Sequence, residues 1–172
     1  MMRRLAPVLL VFLLAIAAGC NGGGNEKAAT QPPPTTTTSE TGKAALSRAV
    51  RLALRENDRL SGYVLWSNRV PAWATRSTRG PVLAALRTSA ADRRKRGIRV
   101  RTLASRLEIV SIDFDPSYTS ATAVVRSLQR VRPYRSGKSM GRAVRLNERA
   151  EVELRRLGTS ERFVVWRLKA VR

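Results

Sequence analysis

A run of strict alternation between residues 144 and 155 constrains the fold of this chain most. Apolar side chains share one set of positions, Val144, Leu146, Ala150, Val152 and Leu154, and polar side chains fill the positions between them. Because side chains of a strand point alternately to two faces, this pattern predicts a strand with one face in a core and one in water. The exception is Glu148, which places a carboxylate in the apolar row.

Three further segments predict strands. Residues 98–114 are rich in Val, Ile, Leu and Arg, and residues 118–132 show weaker alternation. In the last segment one face is expected to hold Val164, Trp166, Leu168 and Ala170. Short stretches of turn residues, such as Asp115-Pro116-Ser117, separate these segments.

Two amphipathic helices precede the strands. In the first, apolar residues recur with helical spacing at Leu46, Ala49, Val50, Ala53 and Leu54. This helix is expected to fade between residues 57 and 62, with a short helical or irregular connection at 63–78. The second is expected to begin at Pro81 and to end at Gly97.

This order predicts an α+β fold in which N-terminal helices pack on a curled four-stranded antiparallel meander. Over residues 43–172 the order of elements, with Thr78-Arg-Gly-Pro81 and Val164-Val-Trp-Arg167, resembles the cystatin-like architecture and in particular the nuclear transport factor 2-like superfamily. That resemblance implies a small-molecule enzyme, a binding module or an envelope accessory, so it leaves function open. A plain α+β domain of another topology is the alternative.

The N-terminus has the parts of an export signal. Two arginines precede an apolar run from Leu5 to Ala18, which is shorter than the roughly 20 residues that span a bilayer. The stretch Ala17-Ala18-Gly19-Cys20 resembles the lipobox of bacterial lipoproteins, although Ala17 stands where that family usually has leucine. The resemblance implies a signal peptide at 1–19, lipidation of Cys20 and an extracytoplasmic, membrane-anchored protein. An ordinary secretory signal or a hydrophobic N-terminal helix is the alternative.

A polar linker follows the cysteine. Residues 20–42 are rich in Gly, Pro and Thr and lack Val, Ile, Leu, Met and aromatic residues, so this segment is expected to be disordered. A single basic domain is then expected at 43–172.

The composition excludes several kinds of chemistry. The chain has no histidine and one cysteine, so neither a Ser-His-Asp set nor a zinc site of usual spacing can form, and no metal or cofactor is expected. Its net charge is +21. Such a field attracts anionic polymers and membrane surfaces, and the simpler interpretation is that these arginines form solvated faces.

Three groups of residues are candidate sites. Glu148 could act as an acid or base in a cone-shaped pocket, or it could pair with Arg126. Ring side chains could line that pocket or pack in the core, namely Tyr63, Trp66, Trp73 and Trp166. The densest basic cluster could bind anions or form a solvated helix end, and it comprises Arg93, Arg94, Lys95, Arg96, Arg99 and Arg101.

These observations predict a non-catalytic lipoprotein of the cell envelope whose domain binds a partner protein, an anionic envelope polymer or a small apolar ligand. The alternatives are a small-molecule enzyme that uses Glu148 and a protein that binds nucleic acid or anionic lipid through charge. Nucleic acid is the less favoured partner, because no platform of interleaved aromatic residues is present. The oligomeric state is left open, with a homodimer among the alternatives.

Overall fold

The computed structural model describes residues 40–171, and its elements follow the predicted order. Helix α1 spans Glu40–Ser67 and helix α2 spans Gly80–Lys95, with a 3₁₀ helix at Ala72–Arg76 between them. The strands β1 to β5 span Ile98–Phe114, Ser120–Arg135, Lys138–Ser139, Val144–Arg156 and Phe163–Val171. Within the described residues, no helix is both long and apolar enough to cross a membrane. The predicted signal peptide, Cys20 and the linker as far as residue 39 lie outside them.

The strands form one antiparallel sheet in the order β1-β2-β4-β5, and the short β3 pairs with the end of β2. The main core joins both helices to one face of this sheet, which we call the inner face. The predicted α+β class, with helices packed on an antiparallel meander, is therefore confirmed at this level. The added two-residue strand β3 was not predicted.

Helix α1 is longer than the sequence predicted. It begins three residues before the expected domain start and continues through the segment that was expected to end it. Its buried side chains keep the helical spacing as far as Leu60 and Val64, and Asn68, with φ 54°, follows its last turn. The prediction failed because three polar residues that resemble a helix end, Asn57, Asp58 and Ser61, instead face a cavity.

A β-bulge in β5 corrects the predicted face of that strand. Leu154 of β4 pairs with Val165, whereas Val152 pairs with Leu168, so one extra residue of β5 lies between these pairs. Phe163 and Val165 therefore pack in the core, and Leu168 packs against it from the inner face. Trp166 does not share a face with Leu168 as the alternation suggested, because a bulge inserts a residue and changes which side chains face inward.

The start of α2 is fixed against the sheet by a close contact between Gly80 and Trp166. Gly80 has φ +57°, a conformation that residues with a side chain rarely adopt. A Cβ atom at this position would lie 2.8 Å from two ring carbons of Trp166. The backbone of α2 can therefore approach the indole only because residue 80 has no side chain.

We expect Gly80→Ala to lower the free energy of unfolding by about 2–3 kcal/mol, because it adds a steric clash to the cost of a positive φ. The matched control is Gly97→Ala, where φ is +63° but no atom lies within 4 Å of an added Cβ. The free energy of unfolding of that control should fall by only about 1 kcal/mol. Urea denaturation measures both values, and equal losses would contradict the role of the Trp166 contact.

Candidate cavity between the helices and the sheet

A cavity of about 350 Å³ lies between the two helices and the inner face of the sheet. This volume is in the range of small-molecule binding sites. Most of its wall is apolar, with Leu54 from α1, Val82 and Leu86 from α2, and strand residues that include Val125, Val152 and Leu168. The cavity thus offers an apolar chamber that the packing of helices on the sheet leaves unfilled.

Polar side chains form a belt across the middle of the inner face. Ser127 of β2 lies opposite Glu148 of β4, and both line the cavity together with Gln129. Asp58 of α1 reaches toward the same belt, where it accepts hydrogen bonds from Ser105 Oγ at 3.1 Å and from Gln129 Nε2 at 3.4 Å. The belt therefore links helix and sheet without filling the space between them.

The belt separates two apolar clusters. The larger cluster contains inner-face residues at one end of the strands, such as Ala123 and Val152. The smaller cluster, at the other end, comprises Ile98, Val100 and Val131. Because the polar belt lies between them, the two clusters do not merge into one continuous core.

Glu148 is the sequence candidate that the structure places on the cavity wall. Desolvation by burial raises the pKa of its carboxyl group above the ordinary value. The alternative partner, Arg126, instead donates a hydrogen bond from Nε to Asn147 Oδ1 at 3.0 Å. Among the ion pairs within residues 40–171, none involves Glu148. Its carboxylate is thus available to a ligand in the cavity.

Arg93 lies beside the cavity and joins the helices. It is 9% exposed, and it donates hydrogen bonds to Asn68 Oδ1 at 3.0 Å, to Ser89 Oγ at 2.7 Å and to the carbonyl of Val64 at 3.2 Å. Desolvation lowers the pKa of its guanidinium to about 10, so the group stays charged at neutral pH. Asn68 in turn donates to the carbonyl of Ile98 at 2.6 Å. This network connects α2, the end of α1 and the start of β1.

The charge of the cavity wall is opposite to that of the whole chain. Three carboxylates line it, from Asp58, Asp92 and Glu148, against two guanidinium groups, from Arg93 and Arg96. Asp92 and Arg96 are exposed and belong to its rim. The cavity is thus slightly acidic inside a protein with a net charge of +21.

The aromatic residues predicted as pocket candidates lie elsewhere. Tyr63, Trp66 and Trp73 are 47%, 43% and 39% exposed, and none of them lines the cavity. Trp166 packs on Gly80, and the guanidinium carbon of Arg155 lies 4.2 Å from the ring centroid. None of the four predicted rings lines this cavity. Packing in the core does not describe the three exposed rings either, because none of them belongs to an apolar cluster.

The predicted basic cluster is divided by the fold. Arg93 is buried in the network described above and is not part of an anion-binding surface. Arg94, Lys95 and Arg96 are exposed at the end of α2, whereas Arg99 and Arg101 lie on β1. The other five basic residues thus belong to two elements, which the turn at Gly97 joins.

Ser127, Gln129 and Asp58 were not predicted as site residues. Their signal was the interruption of apolar rows, Val125 to Val131 on β2 and Leu54 to Leu60 on α1, by polar residues at inward positions. The same signal identified Glu148. Among the described residues, no group of three potential ligands could hold a metal ion. The arrangement can hold an apolar molecule and hydrogen-bond or ion-pair one polar group of it.

No family model and no curated protein matches the chain. Among solved structures, the intermembrane space region of the chloroplast protein ARC6 is similar, with a TM-score of 0.55 and 9% identity over 77% of this chain and 95% of that one. A protein from Catenulispora acidiphila aligns with a TM-score of 0.48 and 16% identity over 77% of this chain and 94% of that one. At 9% identity the likeness to ARC6 shows the fold alone.

We expect Glu148→Gln to stabilise the protein slightly at neutral pH. Folding raises the pKa of this carboxyl group, so the native state binds its proton more tightly than the unfolded state does. The wild type loses the stability that this proton provides as the pH rises through the native pKa, whereas the uncharged Gln variant does not. The gain should stay below about 1 kcal/mol, because the side chain is half exposed. It should vanish below about pH 4, where the group is protonated in both states.

The matched control is Glu151→Gln, an exposed position on the outer face of the same strand. Thermal unfolding between pH 3 and pH 8 compares the two variants. An increase in stability that is the same in both variants, or that does not change with pH, would contradict a desolvated Glu148.

Proposed function

We propose that the chain is a non-catalytic, lipid-anchored protein of the cell envelope whose cavity holds a small, mainly apolar ligand. The cavity itself carries this proposal, because its apolar wall and polar belt suit a molecule with an apolar body and one polar group. Glu148 and the hydroxyl group of Ser127 would bind that polar group. The slightly acidic lining favours a neutral or cationic ligand over an anionic one.

We further propose that the domain is nuclear transport factor 2-like within the cystatin-like architecture. This assignment is supported by the order of elements and by two helices that enclose a cavity against an antiparallel sheet. A chamber between helices and sheet would serve ligand binding directly. It would also allow a partner protein or an anionic envelope polymer to bind the outer surface.

The lipid anchor is proposed from the lipobox at Ala17-Ala18-Gly19-Cys20 and from the polar segment that follows it. A chain of this length and composition has a root-mean-square span of roughly 25 Å, so an acylated Cys20 would keep the domain close to the extracytoplasmic face of a bilayer. Stable anchoring needs two acyl chains or a second membrane-binding element, since one chain is marginal.

The second candidate function is a small-molecule enzyme in which Glu148 acts as an acid or base. It is favoured by the position of this carboxyl group on the cavity wall and by its raised pKa. A binding role accounts for the wall more simply. The neighbouring Asp58 carboxylate already accepts bonds from Ser105 and Gln129, and neither histidine nor thiol is available in the domain as a second catalytic group.

We expect Ser127→Phe to weaken binding of the neutral apolar dye N-phenyl-1-naphthylamine at least tenfold, because the ring would fill the cavity. Residues 21–172 suit the measurement, since they contain both apolar clusters. The matched control is Thr122→Phe, at an exposed position of the same strand. Fluorescence titration gives both affinities. A Ser127→Phe variant that binds dye like the wild type would contradict the proposed ligand site.

We expect Cys20→Ala, made in the full chain, to release the protein from membranes, because the acylated sulfur would be lost. Fractionation of bacterial cells followed by a high-salt wash measures the membrane-bound share, since salt screens the contribution of the arginines. Cys20→Ala protein that stays in the washed membrane fraction would argue against lipid as the anchor.

A further inference from the structure

Arginines lie directly opposite one another on the outer face of the sheet. The register pairs Arg101 with Arg132, Arg126 with Arg149, and Arg130 with Arg145. We call these six residues the arginine patch. Five of them are exposed, and Arg132 is partly buried. The patch extends over β1, β2 and β4 at the end of the sheet next to the smaller apolar cluster.

No ion pair within residues 40–171 involves an arginine of the patch, although the exposed Glu151 lies two residues from Arg149 on the same face. Glu108 lies opposite Arg126 on β1, but its carboxylate binds Arg106 at 3.1 Å. The other ion pairs within residues 40–171 join Glu153 to Arg155 and to Arg167, outside the patch. Like charges directly opposite on neighbouring strands destabilise a sheet. Three such pairs are therefore a cost to the free protein that a bound anion would remove.

Arg132 of the patch has a buried hydrogen-bond donor, its Nε atom, without a partner in the described part of the chain. Buried donors are normally paired, and an unpaired one disfavours the structure. The guanidinium of Arg132 is thus oriented by its surroundings while its hydrogen-bonding capacity is incompletely used.

Aromatic residues border the patch. Arg99, two residues before Arg101, lies opposite Tyr134. Trp66 packs edge-on against Tyr134 with an interplanar angle of 87°, and the guanidinium of Arg99 lies 5.9 Å from the Trp66 ring centroid. Tyr63 of α1 and Trp73 of the 3₁₀ helix form a second exposed ring pair, with centroids 6.0 Å apart. Trp and Tyr rings of this kind are enriched at the headgroup level of membranes, where one part is apolar and another is wet.

We infer that the arginine patch and its aromatic border form a docking surface for an anionic lipid bilayer. Charge complementarity supplies the attraction, since arginines near an anionic membrane each contribute to binding and pair bidentately with phosphate. Single-stranded nucleic acid fits less well, because Trp66 and Tyr134 pack edge-on against each other and do not form a row of parallel ring faces on which successive bases could stack. This inference goes beyond the proposed function, and it requires neither a ligand in the cavity nor an acylated Cys20.

The test measures binding of residues 21–172 to vesicles of phosphatidylcholine with 30% phosphatidylglycerol, in which neither the signal peptide nor Cys20 contributes. The patch variant is Arg126→Gln/Arg130→Gln/Arg145→Gln. The matched control is Arg48→Gln/Arg51→Gln/Arg55→Gln, which removes the same charge from exposed positions of α1. At roughly fivefold per arginine, the patch variant should lose about a hundredfold in vesicle affinity, and the control less than tenfold.

Two further measurements distinguish binding through the patch from nonspecific attraction by the net charge of the protein. The patch variant should melt at a higher temperature than the wild type, because repulsion between opposed arginines is reduced, and this also shows that it folds. At high salt, where the charges are screened, Trp66→Ala should bind vesicles more weakly than the wild type does, because the contribution of the ring is lost. Equal losses in patch and control variants, no preference for anionic over pure phosphatidylcholine vesicles, or tighter binding to a single-stranded oligonucleotide than to the vesicles would each overturn the inference.

Discussion

The polar belt across the inner face of the sheet is the constraint on which the rest of the structure depends. Ser127, Gln129 and Glu148 lie where apolar side chains would otherwise join the two apolar clusters. Helices packed tightly over this belt would bury hydroxyl, amide and carboxyl groups without enough partners, which is unfavourable. The helices therefore pack on the apolar ends of the strands, and a cavity remains over the middle.

Helix α2 is held over this cavity at both ends. At its start, Gly80 lies against the indole of Trp166. Near its other end, Arg93 bonds to Asn68, and Asn68 bonds to the carbonyl of Ile98. Because the two attachments involve β5 and the start of β1, they connect α2 to opposite edge strands of the sheet. Two such attachments would keep the cavity formed before any ligand binds, which would lower the ordering cost of the proposed binding.

The sequence predicted those parts of the fold that depend on local pattern. The alternation around Val152 identified β4, and the positive φ of Gly97 agrees with its predicted role as the stop of α2. The end of α1 was predicted wrongly because Asn57 and Asp58 are polar for a reason that lies elsewhere in the fold, namely the cavity. A polar residue inside an amphipathic helix can mark either an end or a cavity wall, and only the packing of the sheet distinguishes the two.

Features that depend on the register between strands could not be predicted from the pattern of each strand alone. Glu148 could be recognised as unusual from its own strand alone, but its neighbour Ser127 required the pairing of β2 with β4. The face of Trp166 could not be derived, because the bulge that sets it arises between two strands. The opposed arginines, such as Arg130 and Arg145, could not be predicted for the same reason, because the pair exists only in the register between β2 and β4.

The distribution of charge follows from the same architecture. The inward position of Glu148 on β4 holds a carboxyl group in partly desolvated surroundings, whereas outward positions of β2 and β4 hold arginines. One sheet thus presents a slightly acidic chamber on one side and a strongly basic surface on the other. The proposed ligand site and the proposed docking surface would therefore lie on opposite faces of the sheet, so that neither would block the other.

The central claim is that an apolar chamber persists between the helices and the sheet. Methyl NMR spectra recorded under xenon pressure test it most directly, because xenon enters apolar cavities. We expect shifts for the methyl groups of Val125, Val152 and Leu168 and none for those of Val124 on the outer face. Methyl groups of the cavity wall that do not respond, or that respond no more than Val124, would contradict it.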